Sequence, residues 1–555
     1  MKNKNYLIVA ITLLVITIGG TFAYFIAQTG AGAKANANIT ADTVDDLKFS
    51  VSKEGLSLSA NQFNFAQGSG NLSDSVTATA SLKANSTKSL ATYNYYVYFQ
   101  IESNNYIYTT TDQKPEIVLS ITGPNGEVTS VDGLTYVSAS DADGNTIKGF
   151  DITEQSSSVI KIADSYEISS SSSTNYTNQD WVFKVTFVNL NDNQTDNEGN
   201  SLTGKVLIQK EKMPETIAEV VSSGSFLDAA IIELGTKGAS SVTGLYHHDE
   251  NLANGATDDS YRYAGANPNN YVCFGSDEET CPSENLYRII GVFNRRVKLI
   301  SADYSTTDML GTDGSFSRIF YNTTYGYAFN HDSYKGTGDL SKIGLYYWDT
   351  TGKNLWSTSN FNLTNLNTNF ISYLENRNSK WRNLIDSNTW YVGGLTYANG
   401  AQSNAKTTYD YEVGLNKDAT ATINSIKIGL MYVSDYYYSA LPEYWSFPGI
   451  DLNGSYNDDY SVWSGNDYIK ASVDNWLYMG LREFTISCVS DVSDYVFGIA
   501  DVGDVSKVLV GGFGVDGFVG NAFAVRPSFY LVSSAGYDSG TGTISDPIRV
   551  LYWSK

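Results

Sequence analysis

The sequence predicts a mainly β protein: an N-terminal β-sandwich of the immunoglobulin or jelly-roll kind, followed by an α+β domain. Apolar residues alternate in short runs over residues 38–211, and turn signals separate those runs. From about residue 213 the pattern changes to helical spacing, and then to a long stretch rich in Tyr, Trp, Asn and Gly. At 555 residues the chain exceeds what one core supports, so separate domains are expected.

Composition narrows the function classes. With 42% apolar and 13% aromatic residues against 17% charged, the chain reads as packed domains and not as a disordered polymer. Its 41 tyrosines suit half-buried sheet faces and surfaces that touch sugars or proteins. A net charge of −23, from 36 basic and 59 acidic residues, argues against nucleic acid or anionic lipid as the main partner. Three cysteines neither build a disulfide scaffold nor match a zinc spacing.

Residues 1–37 read as a leader. Lys2 and Lys4 precede the apolar run Tyr6 to Ile18, and Gly19-Gly20 leads into a second apolar stretch, Thr21 to Ala27. A basic start, an apolar run and nearby small-x-small sites such as Thr21-Phe22-Ala23, Ala31-Gly32-Ala33 and Ala35-Asn36-Ala37 describe an export signal. The alternative is an uncleaved anchor, because Tyr6 to Ala27 is long enough to cross a bilayer. The membrane would then be touched through this segment alone. The end, Leu551-Tyr-Trp-Ser-Lys555, has no hydrophobic tail, so no sortase-type signal is expected. The string Gly19-Gly-Thr-Phe-Ala-Tyr-Phe25 resembles the leader of the camelysin and TasA group, secreted matrix-fibre proteins of spore-formers. That resemblance implies export and cleavage by a dedicated peptidase. Where the group often carries an acidic segment, this chain has Ile26-Ala-Gln-Thr-Gly30.

Residues 38–211 read as strands. Tyr93, Tyr95, Val97, Phe99 and Ile101 fall on one face, as do Trp181, Phe183, Val185 and Phe187, and Val206-Leu-Ile208 makes a last strand. Ile117 to Ile121 runs into Gly123-Pro-Asn-Gly126, where Asn-Gly predicts a hairpin because both residues accept positive φ. Two acidic loops, Asp141-Ala-Asp-Gly-Asn145 and Asn191 to Glu198, offer hard oxygens to calcium, but neither has EF-hand spacing and Asx turns account for them. No other cofactor is expected.

Residues 212–244 read as a helical connector. Ile217, Val220, Val221, Leu227, Ile231 and Leu234 recur at helical spacing, with Gly224 and Gly235 as breaks. Residues 245–555 form the α+β domain. Leu286 to Ile300 alternates about Arg295-Arg296 as a hairpin, Thr364 to Leu374 and Lys380 to Ile385 look helical, and Val508 to Leu531 returns to strands. Asp259 to Cys273, Leu286 to Phe293, Val297-Lys-Leu-Ile300, Trp390-Tyr-Val-Gly-Gly394, Lys427 to Tyr432, Trp476 to Gly480, Val525-Arg-Pro-Ser-Phe-Tyr-Leu531 and Gly540 to Pro547 together resemble a domain of unknown function in surface proteins of gut bacteria. The Arg-Pro string also resembles the close of the formylglycine-generating-enzyme and C-type-lectin-like folds, which implies a lectin-like head.

Catalytic residues are not expected. Of the three histidines, His247 and His248 are adjacent and would face opposite ways on a strand, so a solvated loop is expected instead of a metal half-site. Cys273 and Cys281 flank a short acidic loop and read as a disulfide, with a redox pair or copper site as the alternative. Cys488, in Phe484-Thr-Ile-Ser-Cys488, reads as a buried strand thiol, and Arg526 as a buried ion-pair partner. Ligand contact is assigned to Tyr436, Tyr437, Tyr438, Trp445 and Trp463, with Asn466 and Asp467 orienting a sugar; the competing reading places these aromatics in the core. The expected function is that of an extracellular or cell-surface protein binding glycans or surface proteins. Alternatives are a self-associating fibre subunit, or an enzyme acting on surface glycans or proteins.

Overall fold

The computed structural model describes residues 45–61, 70–155, 158–320, 334–396, 403–418, 422–446, 450–451, 474–500, 503, 505–510 and 522–552. The leader therefore lies outside the described residues, as do Trp463, Asn466 and Asp467. Among the described residues strand outweighs helix, 38% against 17%, so the chain is mainly β with several antiparallel sheets. None of the described helices is long and apolar enough to cross a membrane. The chain divides into two compact units, Met1–Lys212 and Met213–Lys555.

In the first unit the alternating runs become strands: β1 (Asp46–Val51), β2 (Leu56–Ser59), β3 (Leu72–Lys83), β4 (Ala91–Asn104), β5 (Ile117–Gly123), β6 (Gly126–Glu127), β7 (Thr135–Ser140), β8 (Thr146–Asp151), β9 (Ser158–Ser170), β10 (Thr177–Phe187) and β11 (Ser201–Gln209). One sheet runs β1-β3-β10-β5-β8-β7, with β6 on β5, and the other runs β2-β11-β4-β9. Tyr95, Val97, Phe99 and Ile101 of β4 and Trp181, Phe183, Val185 and Phe187 of β10 are buried, and they point into one shared apolar layer. Phe99 stacks on Phe183 with ring centres 5.8 Å apart, and Tyr166 meets Trp181 edge-on at 5.0 Å. That layer is the main source of the unit's stability, because apolar burial is proportional to area and a period of two places the whole apolar set on one face.

The hairpin after Ile121 forms, but its corner differs from the expected one. Thr122 pairs with Glu127 and Gly123 with Gly126, so the central residues are Pro124 and Asn125. Proline holds φ near about −65°, which rules out a turn needing positive φ at both positions. Gly126 takes the positive φ, 113°, one residue later. The acidic loops find protein partners, and in the second Asp192 pairs with Lys114 at 2.8 Å. Asp141 accepts from the Asp143 and Asn145 amides and from the side chains of Asn145 and Asn71. In the second loop Asn193 caps Thr195, while Gln194 and Asn197 donate to the buried Glu116.

The second unit is built on a nine-stranded sheet, in the order Ile428–Gly429, Ser528–Tyr530, Arg296–Ser301, Leu286–Phe293, Tyr271–Cys273, Ile548–Tyr552, Ala535–Ser539, with Leu245–His247 and Tyr261–Tyr263 attached. The hairpin at Asn294-Arg295 closes with φ of 47° and 64°, the primed geometry that matches the twist of paired strands. A wide helix Phe361–Phe370 continues into Ile371–Arg377, with Ser379–Leu384 after it. A smaller sheet joins Ile450–Asp451, Val505–Leu509, Tyr495–Ile499 and Glu483–Cys488.

The stretch read as a connector is part of this unit. Helix Leu227–Lys237 buries Leu227, Ala230, Ile231 and Leu234 in the same core as Val272 and Ile289. Its helical period reflects a face packed on the sheet, not a tether. Gly235 is no break either: it lies inside the helix, where a Cβ would stand 2.6 Å from the Tyr261 ring. Gly224, at φ 95°, does break the chain.

Candidate functional site

Strand Arg296–Ser301 lies between Leu286–Phe293 and Ser528–Tyr530, and all its residues after Arg296 are buried. A sheet covered on both faces leaves no solvent-facing side. Lys298, in the middle of Val297-Lys-Leu-Ile300, is therefore driven inside, with 0% exposure. Its Nζ donates to Asp435 Oδ2 at 2.5 Å. Asp435 is the third residue of helix Val433–Tyr438, where it also accepts from the Tyr432 amide at 2.8 Å, as acids at helix starts do.

The same helix start is gripped from its other side. Glu412, at the end of helix Ala405–Glu412, accepts from the Val433 amide at 3.0 Å and the Ser434 amide at 2.8 Å, and Ser487 Oγ donates to it. Burial pushes the Glu412 carboxyl up to about 7, against these donors. Arg262 donates to Asp258 at 2.6 Å and to Ser260 at 2.8 Å, with the rings of Phe293, Tyr409 and Tyr438 about its guanidinium at 4.7, 5.0 and 4.9 Å. Burial alone would raise Asp258, but Arg262 and Ser260 more than reverse it and hold the carboxyl at about 2. Burial also keeps His248 well below its ordinary value, hence neutral. His248 Nδ1 accepts from the Ala256 amide at 3.0 Å.

The tyrosine run proposed as a sugar platform lines this buried centre. Tyr436, Tyr437, Tyr438 and Trp445 are 3%, 8%, 1% and 0% exposed. Three of the four place their polar tips on backbone oxygens: Tyr436 on Gly503 at 2.7 Å, Tyr438 on Asn254 at 3.1 Å, and Trp445 on Ala440 at 2.9 Å. Ring faces enclosed in a core cannot stack on a sugar, so these four residues are framework. A helix whose every side chain is buried belongs to a core, and a hydroxyl that can reach a backbone oxygen lets tyrosine occupy that place. The expectation of a solvated His247-His248 loop is also corrected. His247 ends strand Leu245–His247, stacks on Tyr261 and contacts Asp259 at 2.6 Å, while His248 is fully buried. Groups of three or more acids, His or Cys able to hold a metal are absent among the described residues.

Elsewhere in the unit, Cys273 and Cys281 are joined by a disulfide across an eight-residue separation, with Cα atoms 5.8 Å apart. Cys488 is free and buried. Arg526 makes a two-pronged pair with Glu483 at 2.9 and 2.8 Å, both side chains sealed from solvent.

In comparison with known proteins, the chain matches no family model, no curated protein and no solved structure.

Sequence reasoning missed Lys298, Asp435, Glu412, Arg262 and Asp258 as a group. The available signal was a lone lysine inside an apolar strand run, since a charge there is buried and must find a partner. The partner itself, 137 residues away, leaves no local trace.

Proposed function

We propose that this chain is an exported cell-surface protein of a Gram-positive-type bacterium, acting in adhesion or ligand binding and not in catalysis. The observation that carries this reading is the Cys273–Cys281 bridge. Disulfides persist in oxidising compartments and are rare in the cytosol, so the bridge agrees with the basic, apolar leader. The first unit is read as an immunoglobulin- or jelly-roll-like sandwich and the second as a lectin-like head. Burial of Lys298, Asp435, Glu412 and Arg262 weighs against their use on an external substrate. Ligand contact, on glycans or surface proteins, then falls to residues other than the tyrosine run, with Trp463, Asn466 and Asp467 still proposed. Cell fractionation with non-reducing peptide mapping tests the reading. Surface or medium protein carrying the 273–281 bridge supports it, and cytosolic protein with reduced cysteines ends it.

A fibre subunit is the second reading, favoured by β1 and β7, which among the described residues each pair on one side. Here β1 pairs inside its own unit, Asp46 with Lys83 through Val51 with Ala78, and carries Asp46 and Lys48, charges that guard an edge. Sedimentation at rising concentration separates the readings.

A further inference from the structure

The Lys298–Asp435 contact is set up for more than an ion pair. Strand pairing fixes the lysine, with Lys298 opposite Gly291 on one side and Tyr530 on the other. Asp435 is fixed by the helix start and the Tyr432 amide. Neither side chain reaches solvent, with exposures of 0% and 3%. Aromatic rings enclose the ammonium: Tyr432 at 4.4 Å, Trp390 at 5.3 Å, Tyr530 at 5.4 Å and Phe293 at 6.0 Å. We propose that Lys298 and Asp435 condense to an internal isopeptide bond between Nζ and Cγ.

The step balances within the pair. The ammonium passes a proton to the touching carboxylate, which leaves a neutral amine and a carboxylic acid. The amine lone pair then forms the N–Cγ bond, and one carboxyl oxygen takes the negative charge. The Tyr432 N–H, which already bonds an Asp435 oxygen, stabilises that charge. Collapse of the intermediate releases the other oxygen as water with two of the amine's three protons, and the third stays on the amide nitrogen. No oxidant or added reactant is required.

Two physical terms favour the product. A buried ion pair carries a desolvation penalty at each charge, and the amide removes both charges. Two groups held in contact also react without the entropy loss of an encounter, at effective concentrations far above any in solution. Burial, the largest influence on Lys298, lowers its ammonium against the pull of Asp435, and Arg262 adds to that lowering. A neutral amine, the nucleophile, is thereby closer to hand. The inference does not depend on where the chain resides or what it binds.

Mass spectrometry of the purified full-length protein decides it. The expected result is an intact mass one water below that calculated from the sequence and the N-terminus found in the same sample. Trypsin should release a branched peptide pair linking Lys298 to Asp435, with no cleavage after Lys298. Lys298→Met should restore the calculated mass. A folded wild-type protein at its calculated mass, with ordinary cleavage after Lys298, would overturn the proposal, as would a water loss mapped to any other residue. Both readouts come from the wild type, so a variant that fails to fold leaves the test intact.

Discussion

Trp181 on β10 donates its indole N–H to the hydroxyl of Tyr95 on β4 at 2.9 Å, so the two sheets of the first unit are joined by a polar contact inside their apolar layer. Tyr95 passes the interaction on, donating to Gln179 at 2.8 Å. Tyr95→Phe strips the hydroxyl and leaves the indole donor and the amide acceptor unmet. Of the two only the Trp181 indole is buried, and an unmet buried group costs about 1–3 kcal/mol, so urea denaturation should show the first unit weakened by on the order of 2 kcal/mol. An unchanged midpoint would mean that water replaces the hydroxyl.

Gly394 closes the Trp390-Tyr-Val-Gly-Gly394 string for a backbone reason. It sits at φ 126°, and a Cβ there would stand 1.8 Å from the Tyr411 carbonyl oxygen. Gly394→Ala should therefore destabilise the second unit by at least about 2 kcal/mol, since forbidden dihedrals alone cost about 1–3 kcal/mol. Thermal melting checks this. A melt equal to wild type would show that the backbone at Tyr411 moves freely.

Period-two runs made the first unit readable: Tyr95 to Ile101 and Trp181 to Phe187 alternate, and burial on one face forces that pattern. The hairpin after Ile121 was legible in place but not in corner, because Asn125-Gly126 was weighed without the constraint of Pro124. The period of Ile217 to Leu234 revealed an apolar face, yet a face does not say what covers it, and the helix proved to belong to the second core. Three consecutive tyrosines at 436 to 438 have no amphipathic period, so a run flanked by polar residues reads as surface when every side of the helix is packed. Lys298 and Asp435 meet through the packing of a strand against a helix start far along the chain, which no local pattern encodes.

Glu412 makes the second unit's stability depend on pH. Its folded carboxyl titrates at about 7, above the ordinary 4.5, so the folded state holds the proton more tightly than the unfolded chain. Stability from this group is full below the unfolded value and is lost as pH rises through the folded one. The change corresponds to on the order of 3 kcal/mol between those limits. Glu412→Gln cannot ionise, so the stability difference between variant and wild type should move in the variant's favour from pH 4.5 to 7.5. Parallel denaturation curves over that range would refute the shift.

The thiols should report folding in steps. Cys488 is buried, and burial pushes its thiol up, which lowers its reactivity. Native protein should take up no maleimide. Urea without reductant should expose the single free thiol, and urea with reductant all three cysteines. Labelling of native protein would contradict the burial of Cys488.

Trp445 separates a core from a sugar platform. The ring is 0% exposed, packs near Tyr246, His248 and Tyr438 with centroids 5.6, 5.0 and 5.1 Å away, and bonds the Ala440 carbonyl. Truncating a buried tryptophan typically costs about 3–5 kcal/mol, so Trp445→Ala should melt the second unit far below wild type. Trp445→Phe retains most of the volume but drops the indole donor, so it should fall between the two. A platform residue behaves in the opposite way, because an exposed ring adds little to stability: its loss would abolish glycan binding at an unchanged melting temperature. Melting curves beside a glycan array therefore distinguish the two roles. If Trp445→Ala melts like wild type and loses a glycan the wild type binds, the packing described for Tyr436 to Trp445 is wrong. If the variant collapses as expected, any sugar the intact protein binds must be held by other residues, and Trp463→Ala is the substitution to test next.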